Sequence, residues 1–335
     1  MDRYATIIGS GMYIPENEIT NETFAKWMGE VNPKLADVVS KFEASSGIKT
    51  RFYAPDDWAT SDLAAEAGKA AIADAGLTPE DIDLVILGTD SPDYITPATS
   101  VVAQYKLGCV NAGTWDVGCA CASFPTALAQ AAGMIATNPN LKYILVIGAY
   151  MMHKLADLKH DVTSFFYGDG AGAVVVGVSD KPGYVSCSIK ADGSYHKHWG
   201  IYSGGTFEPA TVESAQAGRT TVKLVTPFPP TVNHEGWPAR VRECAANGGF
   251  KLSEIDHIIF TQVNINSIKL VSADLGLPDE KAHYVMDKWG YMGSACLPIA
   301  FHDAIKEGKI TSGMRVVFCG SGVGYNQAAT CFIMP

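Results

Sequence analysis

Two stretches of this 335-residue chain follow one pattern. Pro79-Glu-Asp-Ile-Asp-Leu-Val-Ile-Leu-Gly-Thr89 and Leu252-Ser-Glu-Ile-Asp-His-Ile-Ile-Phe-Thr-Gln262 each run from an acidic turn into an apolar strand, and aligning Ile82 with Ile255 sets an offset of 173 residues. The same offset pairs Ala122-Ser-Phe-Pro125 with Ala295-Cys-Leu-Pro298, and an offset of 172 pairs Val146-Ile-Gly148 with Phe318-Cys-Gly320. Three correspondences in order, at nearly constant spacing, are the mark of an internal duplication. Each half reads as strand and helix in alternation. Helices are expected over 63–75, from the turn after Cys121, over 237–247 and around Pro298. Strands are expected over 84–87, 143–148, 171–177, 258–260, 316–318 and 328–333. Continuous apolar strands between helices imply sheets covered on both faces, hence an α/β architecture. The halves are expected to span 1–180 and 181–335, meeting in the turn-rich Ser179-Asp-Lys-Pro-Gly183.

A chain with 47% hydrophobic and 18% charged residues can bury a large core. Its net charge of −10, without a long Lys/Arg run, speaks against nucleic acid or an anionic membrane as partner. The start Met-Asp-Arg-Tyr-Ala-Thr-Ile-Ile-Gly lacks a signal-peptide pattern, and no long uncharged apolar stretch follows, so the cytoplasm is the expected location. The eight cysteines form no CxxC pair and read as reduced thiols. Cys119 and Cys121 make a lone CxC, and no metal site is expected from it.

Cys121 lies in Asp116-Val-Gly-Cys-Ala-Cys-Ala-Ser-Phe-Pro125, ahead of the helical pattern 126–135. A thiol at a helix start meets unpaired N–H groups and the positive end of the helix dipole, which favour thiolate. Such a sulfur attacks carbonyl carbon, and a thioester would acylate it.

With Ser46-Gly-Ile-Lys-Thr-Arg51, the cysteine segment 116–124, Tyr167-Gly-Asp-Gly-Ala-Gly172, Asp192-Gly-Ser194 and Gly320-Ser-Gly-Val-Gly324, the chain resembles the thiolase superfamily, and within it the β-ketoacyl-acyl carrier protein synthase III branch. The resemblance implies a thiolase-like five-layered α-β-α-β-α fold from two duplicated halves and a homodimer. It implies an acyltransferase, without cofactor, in which a coenzyme A thioester acylates Cys121 and the acyl group passes to a carbon nucleophile on an acyl carrier protein or coenzyme A, in lipid or polyketide metabolism. An oxyanion would then be held by the backbone N–H groups of Cys121 and Ser321.

Two positions depart from the family. Its His-Gln-x-Asn stretch reads Thr261-Gln-Val-Asn264 here, and its Gly-Asn-x-Ser-like stretch reads Gly290-Tyr291-Met-Gly-Ser294. Losing one preorganised oxyanion donor costs about 3–4 kcal/mol, so weak malonyl decarboxylation is expected. Gln262 and Asn264 are structural in the family, Tyr291 is read as lining the site, Thr261 as a pocket wall and Cys319 as a core thiol. The stretch Gly88-Thr-Asp90-Ser-Pro-Asp-Tyr-Ile-Thr-Pro97 resembles the one that holds the general-base Glu of hydroxymethylglutaryl-coenzyme A synthases, with Asp90 at that acid's position. Asp90 is either such a base or a turn-forming Asx residue. His153, His196 and His198 are expected in loops near the substrate entrance. Lys49, Arg51 and Trp27 fall where the family binds coenzyme A, although 31–38 reads as an insertion and makes surface or fold contacts the simpler role. Two further readings remain open: a non-decarboxylative, synthase-like or thiolase-like reaction using Asp90 or Tyr291 for proton transfer, and a non-catalytic scaffold subunit of an acyl-transfer complex.

Overall fold

The structure, a computed structural model, describes residues 3–335. Its first sheet has the order β1-β7-β6-β4-β5, from β1 (Tyr4–Tyr13), β4 (Leu84–Gly88), β5 (Gly113–Val117), β6 (Tyr143–Tyr150) and β7 (Gly170–Ser179). The second has the order β11-β12-β13-β8, from β8 (Tyr184–Ala191), β11 (His257–Phe260), β12 (Arg315–Gly322) and β13 (Asn326–Ile333). In both, a parallel pair (β4 with β6, β11 with β12) continues into antiparallel neighbours. The last strand of the first sheet ends at Ser179 and the first of the second starts at Tyr184.

Helices α5 (Ser123–Thr137) and α10 (Cys296–Lys306) lie between the sheets, α3 (Thr60–Asp74) and α4 (Thr99–Leu107) cover the outer face of the first, and α7 (Val232–Gly248) and α8 (Ile265–Asp274) cover that of the second. These are the five layers. β4 and β11 are buried along their whole length, which is why they read as unbroken apolar runs rather than alternations. Helix α7 starts five residues before the expected Trp237, because its first turn is polar: His234 bonds Ser267 at 3.0 Å, and Gly236 lies against the Gln327 side chain. The apolar pattern begins only where the helix meets the core.

Smaller elements surround this frame. β2 (Asn17–Thr20) pairs with β3 (Thr50–Tyr53), and α1 (Asn21–Val31) and α2 (Pro33–Ser46) fill the span between them. Asn32 ends one helix and caps the next, accepting from Lys34 N at 3.1 Å. The segment 31–38 is therefore a helix junction. Arg51 is fully buried, its guanidinium 4.6 Å from the Phe165 ring and 5.4 Å from Phe24, while Lys49 is exposed. β9 (Trp199–Gly200) pairs with β10 (Lys223–Leu224), with the short α6 (Val212–Gln216) between them, and α9 (Met286–Trp289) precedes α10.

The two halves touch through glycines of their central strands. A Cβ on Gly148 of β6 would lie 2.2 Å from Ser294 O, and one on Gly320 of β12 would lie 2.8 Å from Cys121 O. Gly322 is tighter, 2.0 Å from Cys119 O. Gly322→Ala is expected to lose roughly 3 kcal/mol of stability, the upper range for overpacking, measured as a lowered urea midpoint. Gly133→Ala, on the exposed face of α5 with nothing near its missing Cβ, is expected to gain about 0.5–1 kcal/mol from reduced chain entropy. Equal midpoints for the two variants would refute the close-packed contact.

Candidate active site

Cys121 sits in a single 3-10 turn, Ala120–Ala122, directly ahead of α5. Ala120 adopts φ 48°, a left-handed conformation rarely held by a residue with a Cβ. The backbone of this turn lies against β12, where Gly320 and Gly322 leave room for the chain. Cys121 is 2% exposed. Burial pushes the thiol well above its ordinary range, and the nearby Cys296 and Asp90 push the same way. The thiolate expected from the helix start is thus not the resting form: the helix end is worth at most about 2 kcal/mol, less than the cost of burying a charge.

Among the described residues, the phenolic hydroxyl of Tyr291 is the one side-chain group hydrogen-bonded to the Cys121 sulfur. Its backbone is clamped, with Tyr291 N donating to Phe166 O at 2.9 Å and Tyr291 O accepting from Gly168 N at 2.8 Å. Gly290 (φ 80°) and Gly293 (φ 42°) flank it. A Cβ at Gly293 would overlap the Tyr150 ring at 2.2 Å. Tyr291 is thus held over the thiol, and its own hydroxyl is pushed well above the ordinary phenol range by burial and by Cys121.

Thr261 does not line the cavity as expected. Its hydroxyl accepts from Ser321 N at 3.2 Å across β11 and β12, so the expected second oxyanion donor is engaged at rest and a bound oxyanion would have to replace Thr261 Oγ1. Ser321 Oγ is fixed from behind by Trp237 Nε1 at 3.0 Å and Tyr325 OH at 2.8 Å.

Asp90, at the end of β4, faces the cavity. The Asx-turn alternative fails, because the local turn bonds are made by Thr89 and Ser91. Asp90 Oδ1 is buried without a hydrogen-bond partner. The Ser294 hydroxyl lies close enough to offset burial in part, but its single proton goes to Ala149 O at 2.7 Å. Burial is the main cause that pushes the Asp90 carboxyl up to about 6.

A cavity of about 240 Å³ opens beside Tyr291, lined by Asp90, Tyr150, Tyr167, Trp199 and Val222 among others. No histidine enters this site among the described residues. His153 is paired with Asp169 and stacked on Tyr53, His196 bonds Gly193 O, and His198 stacks on Phe228. Gln262 is structural, bonding Phe260 O, His283 O and Val285 N, and Asn264 caps α8. Cys319 is buried in the outer core. The group His283, Asp303 and Glu307 is spanned by Lys288 and Lys309. Those ammonium groups take the place that a cation would need. Sequence reading did not find Tyr150 or Trp199 as cavity walls; the apolar run ending at Tyr150 was the available signal.

A duplicated five-layered body with a buried cysteine at the junction of its halves defines the thiolase superfamily, whose members of this kind are acyltransferases. Profiles of the family "3-Oxoacyl-[acyl-carrier-protein (ACP)] synthase III" match residues 115–193, and those of its C-terminal part match 245–333, together half of the chain. The chain belongs to that family. Among solved structures it is similar to the 3-oxoacyl-[acyl-carrier-protein] synthase III from Aquifex aeolicus VF5, at 28% identity and TM-score 0.85, over 98% of this chain and 99% of that one. It is similar to the Thermus thermophilus synthase at 26%, with the same coverage and TM-score. The priming β-ketosynthase of the R1128 polyketide biosynthetic pathway matches at 25% and TM-score 0.85, over 100% of this chain and 97% of that one. Fold, family and a Claisen-type acyltransferase class therefore stand as the resemblance implied.

Alkylation by iodoacetamide is expected to leave Cys121 nearly untouched below pH 8. Tyr291→Phe should move the onset to still higher pH, because the phenol is the main contact that holds the thiolate down. Peptide mapping across pH 6–10 reads this, and rapid modification of Cys121 at pH 7 would contradict it.

Proposed function

We propose that Cys121 accepts an acyl group from a coenzyme A thioester and passes it to a carbon nucleophile, with Tyr291 as the proton carrier. The observation that carries this reading is the Tyr291 hydroxyl on the Cys121 sulfur. In the first step the sulfur bonds to the thioester carbonyl carbon and the bond to the coenzyme A sulfur breaks. The thiol proton passes to the Tyr291 oxygen while the phenolic proton moves to the leaving sulfur, so no free thiolate has to form in the buried site. In the second step the nucleophile's carbon bonds to the acyl carbon and the carbon–sulfur bond to Cys121 breaks; the Tyr291 phenol protonates the leaving sulfur and regains the proton removed from the nucleophile.

The carbanion for that step comes from proton abstraction by Asp90 rather than from decarboxylation. A buried carboxylate whose Oδ1 has no hydrogen-bond partner and whose pKa is pushed up to about 6 is matched to general-base work near neutral pH, while Thr261 brings no basic nitrogen. The same reading takes no cofactor. The acceptor is carried on coenzyme A or an acyl carrier protein. Its assembly is a homodimer through the β5 edge, where β4 is the only strand neighbour among the described residues. Tyr94, Ile95, Tyr105 and Val110 stand exposed in the preceding segment.

Intact-mass analysis after mixing with acetyl-coenzyme A should show one acyl adduct, absent in Cys121→Ala. No Cys121-dependent adduct with any acyl donor would end the reading.

Asp90→Asn should leave that adduct intact and lower overall turnover by roughly 10²–10⁴-fold. Because Asp90 acts only when ionised, wild-type kcat/KM should fall on acidification through about pH 6. A variant that keeps full turnover, or a wild-type profile flat from pH 5 to 8, would remove Asp90 from the reaction.

A further inference from the structure

The walls of the cavity are more specific than a short-acyl site requires. Three rings, of Tyr150, Tyr167 and Trp199, line it in sequence, with centroids 6.3 Å apart for Tyr150 and Tyr167 and 6.4 Å for Tyr167 and Trp199. Tyr291 extends the row, 5.9 Å from Tyr150. The planes meet at 48–61°, so the wall is a set of tilted faces and edges, the surfaces that an inserted aromatic ring meets in its preferred offset and edge-on geometries. The space is also of the right size. A dry cavity of about 150 Å³ is enough to take benzene, and this one measures about 240 Å³. One ring and the short arm to a carbonyl carbon fit. A long alkyl chain would need a channel continuing past Met152 and Val222, which line the cavity and whose side chains are buried.

Trp199 stands on β9, outside both duplicated sheets, and Val222 lies just before its partner β10. This hairpin adds its side of the wall to a scaffold whose other walls, Tyr150 and Tyr167, border the central strands.

Building on the reading of Cys121 as acyl acceptor, we propose that the acyl group it carries is a single-ring aromatic one, such as a benzoyl or phenylacetyl group, seated among Tyr150, Tyr167 and Trp199. Tyr291 lines this cavity and its hydroxyl also touches the Cys121 sulfur, which sets the cavity beside the reacting atom. The bond changes are those of the acylation step: the aroyl carbon gains the Cys121 sulfur and loses the coenzyme A sulfur, which takes up the proton.

The test is a time course of Cys121 acylation by intact mass, with the full chain and equal concentrations of benzoyl-, phenylacetyl-, acetyl- and octanoyl-coenzyme A. At least one aromatic thioester is expected to load faster than both others by about ten-fold or more. In Trp199→Ala, a half-buried position whose folding is checked by circular dichroism, the ratio of aromatic to acetyl loading should shrink toward unity. If acetyl or octanoyl loads as fast as both aromatic donors, the proposal falls and Cys121 stands as an acyl acceptor of other specificity. If Trp199→Ala folds and keeps the full preference, the assignment of the wall is overturned. If no donor loads, both the proposal and the acyl-acceptor reading fall. The comparison among donors on the wild-type protein decides the matter even should the variant not fold.

Discussion

Everything at the centre of this molecule depends on two backbones passing without side chains between them. Gly320 of β12 lies against the carbonyl of Cys121, and Gly148 of β6 lies against the carbonyl of Ser294. The contacts are reciprocal: each half's central strand supports the other half's turn, at positions that the sequence offsets of 172 and 173 relate. Interiors pack at crystal-like density, so a single methyl at either glycine would have to displace backbone rather than a yielding side chain. The sheets, the two helices between them and the placement of the reactive sulfur all inherit their spacing from this pair of contacts.

Around that sulfur the chain has rearranged a familiar problem. A thiol in a dry site needs either a base to ionise it or a partner that exchanges protons with it. On the proposed reading Tyr291 is that partner: it touches the sulfur, its backbone is clamped on both sides, and burial pushes its hydroxyl well above the ordinary phenol range. Thr261 meanwhile holds the N–H of Ser321. The site is thus closed in its resting state, with its thiol covered and an oxyanion donor occupied, and substrate binding has to open both.

The duplication was legible in the sequence because strands buried on both faces must be apolar throughout, and because the glycines and prolines that punctuate them recur at fixed offsets. The place of Cys121 at the contact between the halves was legible for a related reason: it stands among small residues that a close approach of chains requires. What the sequence hid was tertiary. That Cys121 is held as a thiol follows from its burial, which no local pattern records. Thr261 meets Ser321 only because β11 and β12 lie side by side. Asp90 could be a turn residue or a free carboxylate until the neighbouring hydrogen bonds were placed, and Arg51, for which a fold contact was the simpler role, is held between Phe24 and Phe165, partners that no local pattern names.

Ser294 stands in the second half where Cys121 stands in the first, at the head of a matching turn and helix. Its hydroxyl gives its proton to Ala149 O and so withholds it from the adjacent carboxylate. The turn of the second half therefore shapes the surroundings of a carboxyl in the first: a residue with a second donor at position 294 would lower the Asp90 pKa. In a chain built from two copies, each copy furnishes part of the other's interior.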